Sequence, residues 1–203
     1  MLRDLVRAVR DRRLRRALLL LLERKGRRLH VGCGDDYIEG CINIDADPES
    51  RADLVMYAGK VHLFPDACLE SLESYHFFEH LTYYQAVWTL GEWFRILAPG
   101  GELLIEMPDL EVCVRELGHH RDGNGNDIAL GGIYGNPGEV RRKGIGHAHK
   151  WGWTFEAIAG ELRKAGFAEI ARHPVRQTYR PSTSFDRDMQ VRARRPGTRG
   201  GTA

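Results

Sequence analysis

The stretch Leu29-His30-Val31-Gly32-Cys33-Gly34 constrains this chain most. It reads as a short buried strand running straight into Gly-x-Gly, where two glycines allow a turn of unusual φ and let a ligand approach the backbone closely. Only the six residues Asp35 to Gly40 separate it from a second apolar run, Cys41-Ile42-Asn43-Ile44. Parallel neighbours are normally joined by a crossover of about a dozen residues or more, usually a helix, so this connection is too short to carry one. A dinucleotide-binding fingerprint would also need a third glycine where Tyr37 stands and a helix N-terminus facing a pyrophosphate. The tight turn is kept and the phosphate cradle is lost. Asp45 follows the second run directly, at the position from which a strand-tip carboxylate can accept hydrogen bonds from vicinal ribose hydroxyls. A turn cap before Pro48 is the plainer role for it.

The rest of the chain supports an α/β reading. Asp53 to Met56 and, more weakly, Ser71 to Phe77 read as further strands, and Leu81 to Leu97 as an amphipathic helix stopped by Ala98-Pro99-Gly100-Gly101. A buried strand, Glu102 to Glu106, comes next. Thr154 caps a helix ending at Gly166, and strands are expected near Phe167 to Ala171 and Met189 to Ala193. Strands alternating with helices predict a mainly parallel sheet. Residues 118–152 hold ten glycines in 35 positions and read as one long loop or lid. The expected organisation is a basic N-terminal helix over 1–27, one domain over 28–194, and a loose tail over 195–203.

Hydrophobic residues at 42% and charged residues at 29% exclude a chain disordered by composition. The net charge of +2 hides a division: residues 1–28 carry +8, residues 171–203 carry +6, and the middle carries −12. The opening helix, with Leu5, Val9, Leu14, Leu18 and Leu21 among arginines, could lie on an anionic membrane or bind nucleic acid. It has no Trp or Phe anchor, which favours packing on the domain with its arginines solvated. The shortened crossover leaves one sheet face without a helix, and this segment is expected to fill that gap. Its longest apolar run, Ala17 to Leu22, is too short to span a membrane or to form a signal-peptide core. Four cysteines without a CxxC pair suggest reduced thiols, and a cytoplasmic location is expected.

The ordered set Leu-His-Val-Gly-Cys-Gly (29–34), Ile-Asn-Ile-Asp (42–45), Ala-Asp-Leu-Val (52–55), Leu-Phe-Pro-Asp (63–66), Phe-Phe-Glu-His-Leu (77–81) and the run from Arg95 to Pro108 resembles the class I S-adenosylmethionine-dependent methyltransferases. The likeness covers roughly residues 28–110 and resumes from His149-Lys150-Trp151-Gly152-Trp153-Thr154 to Ala165-Gly166-Phe167. It is nearest to small predicted methyltransferases with an abbreviated first crossover, often associated with glycan or natural-product pathways. The resemblance implies a seven-stranded, mostly parallel Rossmann-like sheet with helices on both faces and S-adenosylmethionine across the carboxyl ends of the strands. It implies that Gly32, Cys33 and Gly34 pass the cofactor's methionine part, Asp45 holds the ribose, and Tyr75 and His76 border the sulfonium. Tyr57 stands where many relatives have an acidic residue for adenine, and could stack on the ring or offer its hydroxyl.

A hydroxyl acceptor benefits from a base near neutral pKa, for which histidine is the usual residue. His80, His147 and His149 are the candidates, with Asp109 a fourth. The Glu79-His80 pair has an equally good structural role, opening the helix that follows, and His119-His120 reads as a solvated loop pair. Convergence of histidines on a metal is the weaker reading, because no separate metal motif is present, and none is expected. Trp151 and Trp153 are expected in the core rather than as the floor of an acceptor site. The expected activity is methyl transfer, most naturally to oxygen of a small-molecule or glycan-like acceptor. Two alternatives stand: an RNA or protein methyltransferase using the basic ends, and a cofactor-binding scaffold without turnover. Nucleic acid is disfavoured, since no Asn/Asp-Pro-Pro-Tyr/Phe tetrapeptide follows the fourth strand.

Overall fold

The computed structural model describes residues 2–176 and 186–197. Seven strands form one sheet: β1 Arg28–Val31, β2 Ile42–Asp45, β3 Leu54–Val55, β4 Leu69–Tyr75, β5 Leu97–Pro108, β6 Ala168–His173 and β7 Asp188–Arg194. Their spatial order is β3-β2-β1-β4-β5-β7-β6, with β7 antiparallel to both neighbours and the other pairs parallel. The helices are α1 Leu2–Lys25, α2 Tyr83–Ile96, α3 Leu110–Arg115, α4 Ile128–Tyr134, α5 Pro137–Lys143 and α6 Phe155–Ala165. None of the described helices is long and apolar enough to cross a membrane.

Local chemistry explains the main helices. Thr82 and Gln85 form a reciprocal capping box at the start of α2, which buries Ala86, Leu90 and Trp93 from one face. The Thr154 side chain accepts from the Ala157 amide to open α6, and Gly166 at φ +103° closes it. A side chain at Gly166 would also meet the Phe94 ring at 2.9 Å.

Register sorts the sheet into two unlike faces. Leu29 pairs with Ile42 and Leu72, Val31 with Ile44 and Ser74, and Leu103 and Ile105 with Ala193 and Val191, giving one apolar face. α2 and α6 cover it, and Trp93, Ile158 and Leu162 join the same buried cluster. The other face carries His30, Asn43, Glu73, Tyr75, Glu106 and Gln190, all buried. These polar groups pair with one another, except that His30 Nε2 has no hydrogen-bond partner among the described residues. His30 Nδ1 lies 3.0 Å from Asn43 Oδ1, Tyr75 Oη donates to Glu73 Oε2 at 2.9 Å, and Gln190 Nε2 donates to Glu106 Oε2 at 2.9 Å. Arg176 crosses this face, with its guanidinium 4.7 Å from the Tyr75 ring centre and 2.8 Å from Asp36.

The expected seven-stranded, mostly parallel sheet with its helices is present, and α1, α2 and α6 share one apolar cluster. α1 does not fill the face left bare by the short crossover. Its Leu18, Leu21 and Leu22 pack with the cluster that holds Ile42 and Ile44, and Lys60 ties Asp11 at 2.7 Å. The side chains of the bare face are nonetheless buried, and hydrogen bonds among them offset the cost of burying polar groups. The arginines at 10, 12, 13, 15 and 16 are exposed, as a packed helix requires.

Residues 118–152 are not one loop. Asp127 caps α4 by accepting from the Leu130 amide, Asn136 caps α5 with Pro137 in its first turn, and Gly135 and Gly144 end these helices at φ +93° and +95°. Glycines that suggested looseness are the helix stops. The expected tail also starts later. The Arg195 amide donates to Gly101 O, and its guanidinium donates to the carbonyls of Phe94, Arg95 and Leu97, satisfying the end of α2. The remainder of that segment, 198–203, lies outside the described residues.

Candidate active site

The carboxyl ends of β1, β2 and β4 open into a cavity of about 900 Å³. On its first wall β1 turns at Gly32, φ +73°, whose amide donates to Ile44 O at 2.9 Å. A Cβ at Gly32 would lie 2.5 Å from the Phe77 side chain, so this glycine is required first by the protein's own packing. Gly34, φ +48°, donates its amide to Asp45 Oδ2 at 2.7 Å, and the Asp47 amide donates to Asp45 Oδ1 at 2.8 Å. The strand-tip carboxylate is thereby fixed in direction, with lone pairs left over. Tyr57 is 54% exposed at the rim, near Gln85 Nε2 at 3.4 Å.

The second wall comes from the 76–80 segment and the chain around α5. His76 is held at φ +51°, and its amide donates to Glu106 O. Its ring faces Glu79 at 3.3 Å, Asp188 at 3.5 Å and Glu106 at 3.7 Å. Burial pushes the His76 pKa down, but the hydrogen bond and charge of Glu79 and the charge of Asp188 outweigh it and leave it raised. Burial likewise opposes the Glu79 carboxylate, yet His76, His80 and His149 hold it down at about 2.

Glu79 also organises the backbone, because its carbonyl accepts the amides of Lys150 and Trp151. That contact brings the 147–149 stretch onto His80. The His80 ring centre is 4.9 Å from His149 and 6.1 Å from His147. His149 Nδ1 donates to Gly132 O at 2.8 Å and His80 Nδ1 to Ala148 O at 3.2 Å, since a carbonyl can only accept. Burial pushes the His149 pKa below its ordinary value, with smaller contributions from His80 and Arg187 in the same direction. Burial also lowers that of His147, helped by Lys143.

Of the sequence candidates, Gly32, Gly34, Asp45, Tyr57, His76, His80, His147 and His149 line this one cavity. Three do not. Cys33 points into the interior, where burial pushes its thiol pKa up to about 12. Tyr75 lies on the polar sheet face, because side chains alternate along β4 and its neighbour His76 takes the cavity side. Asp109 is spent capping α3 through the Glu111 amide and pairing Arg172 at 2.9 Å. Trp153 is buried in the core as expected, while Trp151 is 45% exposed.

The structure adds Phe77, Lys150 and Arg187 to the lining. Arg187 is buried, its Nε pairs with Asp188 at 2.9 Å, and its two terminal nitrogens have no hydrogen-bond partner among the described residues. Nothing local in the sequence marks it, since antiparallel β7 carries it in from far along the chain. Asp35, Asp45, Asp47 and Glu49 make the first wall acidic, whereas the second mixes Arg142, Lys143, Lys150 and Arg187 with Glu79 and Glu139.

No protein-family model matches this chain. No curated protein matches it either. Solved structures do. A SAM-dependent methyltransferase from Archaeoglobus fulgidus superposes with a TM-score of 0.56 at 18% identity, covering 93% of this chain and 94% of its own. An S-adenosylmethionine-dependent methyltransferase from Mesorhizobium loti gives 0.55 at 17% identity, covering 83% and 90%. One from Methanosarcina mazei gives 0.55 at 15% identity, covering 84% and 92%. The chain has the fold of these methyltransferases over nearly its whole length.

Proposed function

We propose that the protein transfers a methyl group from S-adenosylmethionine to an oxygen of a small-molecule or glycan-like acceptor that carries negative charge. The observation that supports this most is a single cavity with an oriented strand-tip carboxylate on one wall and a histidine cluster on the other. The first wall fits the cofactor by its donor set. An ionised carboxylate has about four acceptor sites, and two on Asp45 are used by amides, which leaves two for ribose hydroxyls. The exposed Tyr57 ring offers a flat face at the rim for the adenine, and the acidic wall suits a ligand bearing ammonium and sulfonium groups.

When bound, the cofactor supplies a methyl group on a positively charged sulfur. The chain's residues align the acceptor and exclude water from it. Arg187, whose buried Nη1 and Nη2 have no hydrogen-bond partner among the described residues, is the cation that an acceptor carboxylate or phosphate would meet. His147, kept neutral by its surroundings at neutral pH, accepts the proton that leaves the acceptor hydroxyl. Calorimetry with S-adenosylmethionine and S-adenosylhomocysteine tests the reading directly. A micromolar dissociation constant is expected, and no heat at high micromolar ligand would overturn it.

A further inference from the structure

Glu79, His80 and His149 each bring one ligand atom to the same point, all within 4.8 Å of one another. His149 Nε2 is 3.9 Å from Glu79 Oε1. Both imidazoles place Nδ1 against backbone carbonyls, of Ala148 and of Gly132, which leaves Nε2 of each ring as the atom available to a ligand. The third member is an ionised carboxylate, only 3% exposed, whose Oε2 has no hydrogen-bond partner among the described residues. Three ligand atoms therefore converge, and all three residues line the cavity. Such a cluster calls for a cation.

We propose that Glu79, His80 and His149 bind one divalent transition-metal ion. Two imidazoles and one carboxylate suit zinc or a neighbouring first-row ion better than magnesium or calcium, which prefer all-oxygen sets. The carbonyls that hold the Nδ1 hydrogens fix tautomer and ring orientation, as outer partners do at histidine metal sites. His76, hydrogen-bonded to Glu79 at 3.3 Å, plays the same part for the carboxylate. Because the three residues line the cavity, a bound ion would be placed to hold an oxygen of the acceptor and lower the pKa of its hydroxyl. That last role rests on the methyl-transfer reading, whereas the metal site does not.

The full-length chain, freed of metal by chelation, is titrated calorimetrically with Zn²⁺ and separately with Mg²⁺. One Zn²⁺ per chain is expected, with no comparable Mg²⁺ binding. His80→Asn and His149→Asn should each weaken Zn²⁺ by more than the roughly 10- to 100-fold that outer partners cost, and His147→Asn by far less. Co²⁺ substitution supplies a readout on the wild-type chain that does not depend on folding of any variant. Visible ligand-field bands without sulfur-to-metal charge transfer are expected, since the four cysteines lie outside the site. Absence of Zn²⁺ binding at roughly 100 μM, a weak site by affinity arithmetic, would overturn the proposal. Unchanged affinity in both ligand variants, or a thiolate band, would overturn it equally. Cofactor binding measured on the same metal-free samples separates failure of this site from failure of the methyl-transfer reading.

Discussion

The two walls of the cavity are built by opposite strategies. The β1–β2 wall is local and backbone-made: Gly32, Gly34 and Asp45 lie within fourteen residues and hold one another through amides. The facing wall is assembled from side chains at 76–80, 142–150 and 187, joined by hydrogen bonds that span much of the chain. A backbone wall tolerates little change because it is also the fold. A side-chain wall can change its chemistry while the scaffold stays put.

Substitutions on each side should separate these properties. The largest effect belongs to the side-chain wall. His147→Asn should slow methyl transfer by about 10²- to 10⁴-fold, with cofactor affinity unchanged and stability within about 0.5 kcal/mol of wild type. Single-turnover kinetics beside thermal denaturation would show it, and a parallel loss of stability would erase the distinction between the walls. On the backbone wall the order reverses. Gly32→Ala combines a left-handed φ with a 2.5 Å approach to Phe77, and should cost about 2 to 5 kcal/mol in denaturant unfolding.

Asp45→Asn tests the cofactor side of that wall. Losing charged hydrogen bonds worth about 1.5 to 3 kcal/mol should weaken S-adenosylmethionine about 10- to 100-fold by calorimetry. An unchanged affinity would move the ribose elsewhere. The smallest signal is a pH dependence, because burial opposes both charges of the His76–Glu79 pair. Glu79 is depressed from 4.5 to about 2, so its contribution is lost as pH falls between those values. His76 is raised above 6.5, so its contribution is full below 6.5 and lost as pH rises through the folded value. The stability difference between wild type and His76→Asn should therefore peak between pH 4.5 and 6.5. A difference that does not fall away below pH 4.5 and above pH 6.5 would remove the ion pair from the account.

The sequence made the backbone wall legible because its signals are contiguous: a strand, two glycines, a short gap, a second strand and an aspartate. The mostly parallel sheet and the boundaries of α2 and α6 followed from the family resemblance, capping residues and stops of the same local kind. The side-chain wall was legible only as a set of histidines. Asp127 and Asn136-Pro137 were readable caps, but ten glycines masked them, since composition over a window hides two short helices with glycine stops. Tyr75 was misplaced by one residue of alternation, and Asp109 by its cap and its pair with Arg172, which hold it outside the cavity lining. Four-residue strands such as β1 and β2 carry too few alternations to reveal that one sheet face is polar, so α1 was assigned to a face it does not cover.

One bond set has a wider consequence. Glu79 receives the amides of Lys150 and Trp151 on its carbonyl, and the Asp109 backbone bridges Trp153 just beyond. The segment carrying α5 is thus moored at its exit close to the histidines, while α5 itself buries no residue. Substitutions confined to Asn136 through Gly146 would change the cavity's lining and leave these mooring bonds and the core in place.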